Sequence, residues 1–178
     1  MFCREVSVIH SFNEQGELLP EEVDTINHLT KLPIGALNLE AIAAVTNLYR
    51  SAQGLRNKME QEVLSEHGLS WTAFSMLYDL WIWEAIETRK IAESLGVSKA
   101  TVSSITKTLE RKELCYRKSD AKDKRLTYVV LAERGKQVME ALYPKFHQNE
   151  IEIVSSLTPN EQHFLADVLR KVIKSNHF

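Results

Sequence analysis

From Leu39 to Val63 the apolar residues Ile42, Val45, Tyr49, Ala52, Leu55, Met59 and Val63 recur every three or four positions, the spacing that aligns side chains along one face of an α-helix. This pattern predicts a long helix from Leu39 that ends near Gly68, a residue free to take the left-handed turn that closes helices. Ser70 is placed to cap a second helix running to about Trp83, in which Phe74, Leu77, Tyr78 and Trp81 share a face. After a break at Glu84 to Glu87, the segment TRKIAESLGVSKATVSSITKTLERKEL reads as two helices around a tight turn at Gly96. Ser98 caps the second of these, and Val102, Ile105 and Leu109 point inward. Two short extended runs follow, LCYR from Leu114 and LTYVVL from Leu126, on either side of a polar tip from Lys118 to Arg125; together they predict a hairpin with an exposed wing.

The last third is helical again, but Pro144 interrupts the stripe of Val138, Leu142, Phe146, Ile151 and Val154 and is expected to kink or split it. A final helix opens at Thr158, Pro159 and Glu161, where the threonine caps, the proline takes the first helical position and the glutamate reaches back to the cap amide. Phe164, Leu165, Val168, Leu169, Val172 and Ile173 then form an apolar face that must be buried against something. The first 37 residues carry the weakest pattern, with a short helix opening at Pro20 and apolar positions at Val23, Ile26 and Leu29. The expected fold class is mainly α with a small β-hairpin wing. A winged helix-turn-helix lobe spans 69–135, an N-terminal extension spans 1–38, and dimerisation helices span 39–68 and 136–178.

Charge sharpens this picture. The net charge is −2, yet from Ile86 to Gly135 there are 12 Lys plus Arg against 7 Asp plus Glu, a net of +5, whereas the remainder has 10 against 17, a net of −7. A basic middle between acidic flanks suits a face that meets a phosphate backbone on an otherwise soluble chain. The hydrophobic fraction of 44% and charged fraction of 26% argue against disorder. No apolar run approaches the roughly 20 residues needed to cross a bilayer, and acids interrupt the start, MFCREVSVIHSFNEQGE, where a secretion signal would be apolar; a cytoplasmic protein is expected. Cys3 and Cys115 are too few and too far apart for a disulfide framework or a zinc pattern, and are expected to be reduced thiols. The six histidines show no paired spacing. The glycines form no phosphate-cradling loop, and no G-x-S-x-G or H-E-x-x-H motif occurs, so neither an enzyme nor a cofactor is expected.

The helix pair needs small residues at its crossing, and Ala92 and Gly96 supply them. Two packed bundle helices could carry the same residues; the wing that follows decides for a helix-turn-helix. Here the sequence resembles the multiple-antibiotic-resistance-regulator (MarR) family of winged-helix transcription factors, from about Leu39 to Ile173. The resemblance is carried most strongly by RKSDAKDKRLTYVVLAERG, in which Arg117, Asp120, Asp123, Arg125 and Gly135 match the family pattern. Two residues depart from it: Ala132 stands where threonine is usual, and Glu113 stands where a glycine normally ends the recognition helix. A left-handed residue other than glycine costs of order 1 kcal/mol at that corner.

The resemblance implies a homodimer that binds double-stranded DNA and acts as a repressor on a pseudo-palindromic operator. On the recognition helix Ser98, Lys99, Ala100, Thr101, Ser103, Ser104 and Lys107 are expected to face the groove, where short side chains allow close approach and lysines supply charge. Arg125 at the wing tip is expected to enter the minor groove, with Asp123, two residues away on the same side of an extended chain, fixing its guanidinium. The resemblance also implies a small aromatic or phenolic effector, for which Trp71, Phe74 and Tyr78 are the candidate pocket residues, although aromatics at helical spacing are usually core. Neither cysteine falls where the family's peroxide-sensing cysteine lies. The rival reading is a protein-interaction winged helix without DNA binding, which would have no need of Arg125 and its neighbouring lysines.

Overall fold

Seven helices and a three-stranded sheet make up residues 20–177, the part of the chain described in this computed structural model. In chain order they are α1 (Pro20–Leu29), α2 (Leu39–Glu62), α3 (Trp71–Trp83), β1 (Ala85–Glu87), α4 (Thr88–Leu95), α5 (Lys99–Arg111), β2 (Cys115–Ser119), β3 (Thr127–Leu131), α6 (Glu133–Ile153) and α7 (Pro159–Asn176). The chain divides at Arg50 into two compact units. In the first, proline opens α1, and the Asn38 carboxamide oxygen accepts from the Ala41 amide at 2.9 Å to cap α2. Val45 and Tyr49, on the predicted apolar stripe of α2, are exposed in this unit.

The second unit holds a single core. The predicted caps form: the Ser70, Ser98 and Thr158 side chains each accept from an amide in the first turn of the following helix, and Thr158 with Glu161 completes a capping box. Inside, Met59, Met76, Leu77, Leu80, Ile91, Val102, Leu109, Val129 and Met139 are fully buried, so α2, α3, α4, α5, β3 and α6 converge on one apolar interior. The helix predicted to reach Gly68 stops instead at Glu62. Val63 leaves the helical region, and a 3-10 turn over Leu64–His67 carries the chain to Gly68, whose φ of 58° is the expected left-handed closure. The tighter turn buries Val63 and Leu64 together.

The break expected at Glu84 to Glu87 is in fact β1. It pairs antiparallel with β3, Ile86 opposite Val129, and the sheet order is β1-β3-β2. Helix α6 also differs from expectation, because it runs through Pro144 without splitting. Leu142 and Phe146, on either side of the proline, are both buried, and their packing holds the helix on course where one backbone hydrogen bond is missing. Helix α7 buries none of its residues, and Phe164, Leu165, Val168 and Ile173 are exposed. No helix among the described residues is long and apolar enough to cross a membrane.

Candidate nucleic-acid interface

Helix α5 is anchored from below. Val102 and Leu109 are fully buried, and so is Thr106, whose hydroxyl is satisfied by donating to the Val102 carbonyl at 2.7 Å. With that face fixed in the core, the opposite face carries Ser98, Lys99, Ala100, Thr101, Ser103, Ser104 and Lys107, all exposed. Gly96, at φ 61°, makes the turn between α4 and α5. Ser98 Oγ caps the Thr101 amide at 3.1 Å and lies 2.8 Å from Thr101 Oγ1, so these two hydroxyls are mutually oriented at the mouth of the helix.

The wing is organised by two aspartates. Asp120 accepts from the amides of Lys122 and Asp123 at 2.8 and 2.9 Å, which folds the tip back, and Leu126 closes it by donating to the Asp123 carbonyl. Asp123 holds Arg125 in two parallel bonds, Nε to Oδ1 and Nη2 to Oδ2, each 3.0 Å, and also accepts the Arg125 amide. The bonds from Arg125 keep the Asp123 carboxyl below its ordinary range, and the backbone amides of Asp123 and Lys122 do the same for Asp120. The Arg125 side chain nevertheless remains 89% exposed. A carboxylate thus fixes its rotamer while its outer edge stays open.

Between α5 and the wing lies an open concavity of about 580 Å³, in which Lys99, Ser103, Arg117 and Arg125 meet Thr88 and Arg89 at the start of α4, with Glu87 of β1 as its one acidic residue. Arg117 joins its two walls. Its Nη2 donates to the Ser103 carbonyl at 2.9 Å, its Nη1 lies 3.0 Å from Glu110 Oε2, and its amide donates to Glu110 Oε1. Sequence reasoning named Arg117 without a role, because a contact 14 residues away depends on how β2 packs against α5. It missed Arg89 altogether, which the sequence marks only as one of the basic residues of the middle segment.

At the base of the hairpin, Glu113 has φ 60°, the left-handed corner expected of glycine, and Arg134 Nη1 meets its carboxylate at 2.7 Å. Gly135 is obligatory by distance, since a Cβ there would lie 2.1 Å from the Leu114 carbonyl oxygen. Ala132 precedes α6 in N-cap geometry but offers no side-chain bond, as an alanine cannot.

The three aromatics proposed for a pocket are knitted to α6. Phe74 is buried and stacks on Phe146 with centroids 4.3 Å apart, Trp71 lies 6.1 Å from the same ring, and Tyr78 lies 5.7 Å from Tyr143. Trp71 and Tyr78 keep part of their surface accessible. Burial pushes the Cys115 thiol up to about 12, which keeps it protonated, and its sulfur packs in the core. Cys3 lies outside the described residues.

A sequence model of the MarR family matches residues 69–127, from the approach to α3 through the start of β3. The HTH-type transcriptional regulator YwaE of Bacillus subtilis is 53% identical over 165 residues, covering 93% of this chain and 96% of the relative. Among solved structures, the S. aureus MepR–DNA complex superposes with a TM-score of 0.67 at 28% identity, covering 73% of this chain and 96% of that one. Bordetella bronchiseptica BpsR, whose DNA binding is regulated by 6-hydroxynicotinic acid, superposes with a TM-score of 0.66 at 22% identity over 73% of this chain and 98% of its own.

Proposed function

The chain belongs to the MarR family of DNA-binding transcriptional regulators, and we propose that it is a cytoplasmic homodimeric repressor that reads a pseudo-palindromic operator with α5 and grips it with the wing. One observation carries this reading: the exposed face of α5 and an arginine held by a bidentate carboxylate stand on opposite sides of one basic concavity. Ser98, Lys99, Ala100, Thr101, Ser103, Ser104 and Lys107 enter the major groove, and Arg125, oriented by Asp123, enters an adjacent A·T-rich minor groove. A dimer presents two such surfaces about one helical turn of DNA apart.

The test uses fluorescence-anisotropy titrations over a salt series, on the DNA flanking the protein's own gene and on a scrambled duplex. Arg125→Ala removes two insertions per dimer; it is expected to weaken operator binding by tenfold or more and to flatten the A·T preference at the flanks. Lys107→Ala weakens both duplexes alike and lowers the slope of log affinity against log salt by about one unit per lost phosphate contact. Ser103→Ala changes base preference at nearly constant slope. Parental binding and flank preference in Arg125→Ala would overturn the wing's part in recognition.

A second reading adds an effector. The part-exposed rings of Trp71 and Tyr78 around Phe74 favour a small aromatic or phenolic ligand, and BpsR responds to a ligand of that class. Such a compound releases DNA only if it binds the two states of the protein differently, so operator affinity measured with and without it decides the matter.

A further inference from the structure

Where α3, β1, α4 and β3 meet, the second unit carries a cleft of about 380 Å³ that shares only Glu87 with the DNA-facing concavity. Its walls are supplied by Asp79 and Trp83 of α3, Glu87 of β1, Lys90 and Ser94 of α4 and Tyr128 of β3. We propose that this cleft is a binding site for a small aromatic compound bearing an ammonium group.

Three observations converge on that class of ligand. The first is the pair of rings. Trp83 is 71% exposed, far more than an indole that serves only packing, and Tyr128 lines the same space. An electron-rich indole face open to a cleft attracts an organic cation, and a ligand ring can stack on it as well. The second is charge. Glu87 lies directly opposite Tyr128 in the β1–β3 register, so both side chains project from the same face of the sheet into the cleft. Asp79 Oδ2 accepts the Ser94 hydroxyl at 2.8 Å, a neutral donor that orients the carboxylate without cancelling its charge. Among the described residues Asp79, Glu87 and Lys90 make no direct ion pair; the nearby Arg89, whose charge Glu87 supports, is itself paired with Glu93. Two carboxylates against one ammonium leave the lining negative, which favours a cation over an anion.

The third is the backbone. Glu84, which joins α3 to β1 beside Trp83, has φ 61° and ψ −46°, a conformation a non-glycine residue seldom adopts. It is pinned on both sides, its amide donating to the Leu80 carbonyl and its carbonyl accepting from the Leu131 amide at 2.8 Å each. The backbone at the edge of the cleft, between Trp83 and Ala85, is thus held in place by two hydrogen bonds before any ligand arrives, as a preformed site requires.

Isothermal titration calorimetry of the full chain with phenethylammonium and with 3-phenylpropionate separates charge from ring, because the two probes share the aromatic group and carry opposite charge. Saturable binding of phenethylammonium at this cleft is expected, whereas any binding of 3-phenylpropionate belongs to the α3 ring stack and is unchanged by Trp83→Ala and Glu87→Gln. Trp83→Ala and Glu87→Gln are each expected to lower the affinity for phenethylammonium at least fivefold, while Tyr78→Phe, in the α3–α6 ring stack, leaves it unchanged. Trp83 and Glu87 lie outside the buried core, so an unchanged melting temperature identifies the variants as folded; if either one unfolds, Asp79→Asn replaces it in the same titration. A loss of 3-phenylpropionate binding in Trp83→Ala and Glu87→Gln as large as that of phenethylammonium, retention of parental phenethylammonium affinity in the folded variants, or no saturable heat with phenethylammonium would each overturn the proposal.

Discussion

Glu113 carries a side chain where its backbone favours none. At φ 60° it follows α5, its amide donating to the Glu110 carbonyl, and its carboxylate makes only an exposed pair with Arg134, 74% and 61% accessible. Such a pair contributes a few tenths of a kcal/mol, less than the about 1 kcal/mol that a left-handed non-glycine residue costs. Glu113→Gly relieves that strain but loses the pair and adds the chain entropy of a glycine, so it is expected to stabilise the protein by only a few tenths of a kcal/mol, read as a higher urea midpoint at constant slope, and a lower midpoint would show that the lost pair and the added entropy outweigh the strain. This corner was legible only through the resemblance, whose pattern has a glycine where Glu113 stands. The Asp123–Arg125 pair forms as expected but by a different route: Lys124 and Arg125 make a turn closed by the Leu126 amide on the Asp123 carbonyl, and the Asp123 carboxylate accepts the Arg125 amide, so the turn and not an extended chain brings the two side chains together. The Arg117–Ser103 bond was not legible, because nothing local in either segment marks a side chain that reaches a helix carbonyl across a packed interface.

At the scale of elements, those with a strong period or a cap were readable and those made by distant partners were not. Ser70, Ser98 and the Thr158–Glu161 box each begin a helix where their residue types predicted it. Strand β1 is only three residues, too short for alternation to show, and it exists because β3 offers it a hydrogen-bonding edge. Pro144 was expected to break α6, but burial of Leu142 and Phe146 overrides the local signal. The start of α6 leaves an opportunity unused, since Ala132 has cap geometry, φ −84° and ψ 159°, without a cap oxygen. Ala132→Thr supplies that oxygen and is expected to add about 1 kcal/mol of stability. Thermal melting that is unchanged or lowered would mean that a threonine at this position cannot reach the first-turn amides.

For the whole molecule, α7 poses the main energetic problem. An 18-residue helix that buries no residue and exposes Phe164 at 69% is not stable on propensity alone, which is the physical support for a homodimer. Phe164→Glu with Val168→Glu is expected to shift sedimentation at micromolar concentration from dimer to monomer and to weaken operator binding, since a monomer contacts one half-site. Dimeric sedimentation of this variant would remove α7 from the interface. The junction at Gly135 has a mechanical consequence for such a dimer. The Leu114 carbonyl accepts the Ala132 amide at 3.0 Å and presses on Gly135 so closely that no methyl group fits, which leaves the end of α5 and the start of α6 no room to slide. Helix α6 is then a lever fixed to the reading head. At 1.5 Å per residue its 21 residues make an arm about 30 Å long, so a tilt of about 5° at one end moves the other by roughly 3 Å, comparable to the spacing of one base pair. Any force that rocks α6 against its partner is delivered to α5 as a change of register on DNA.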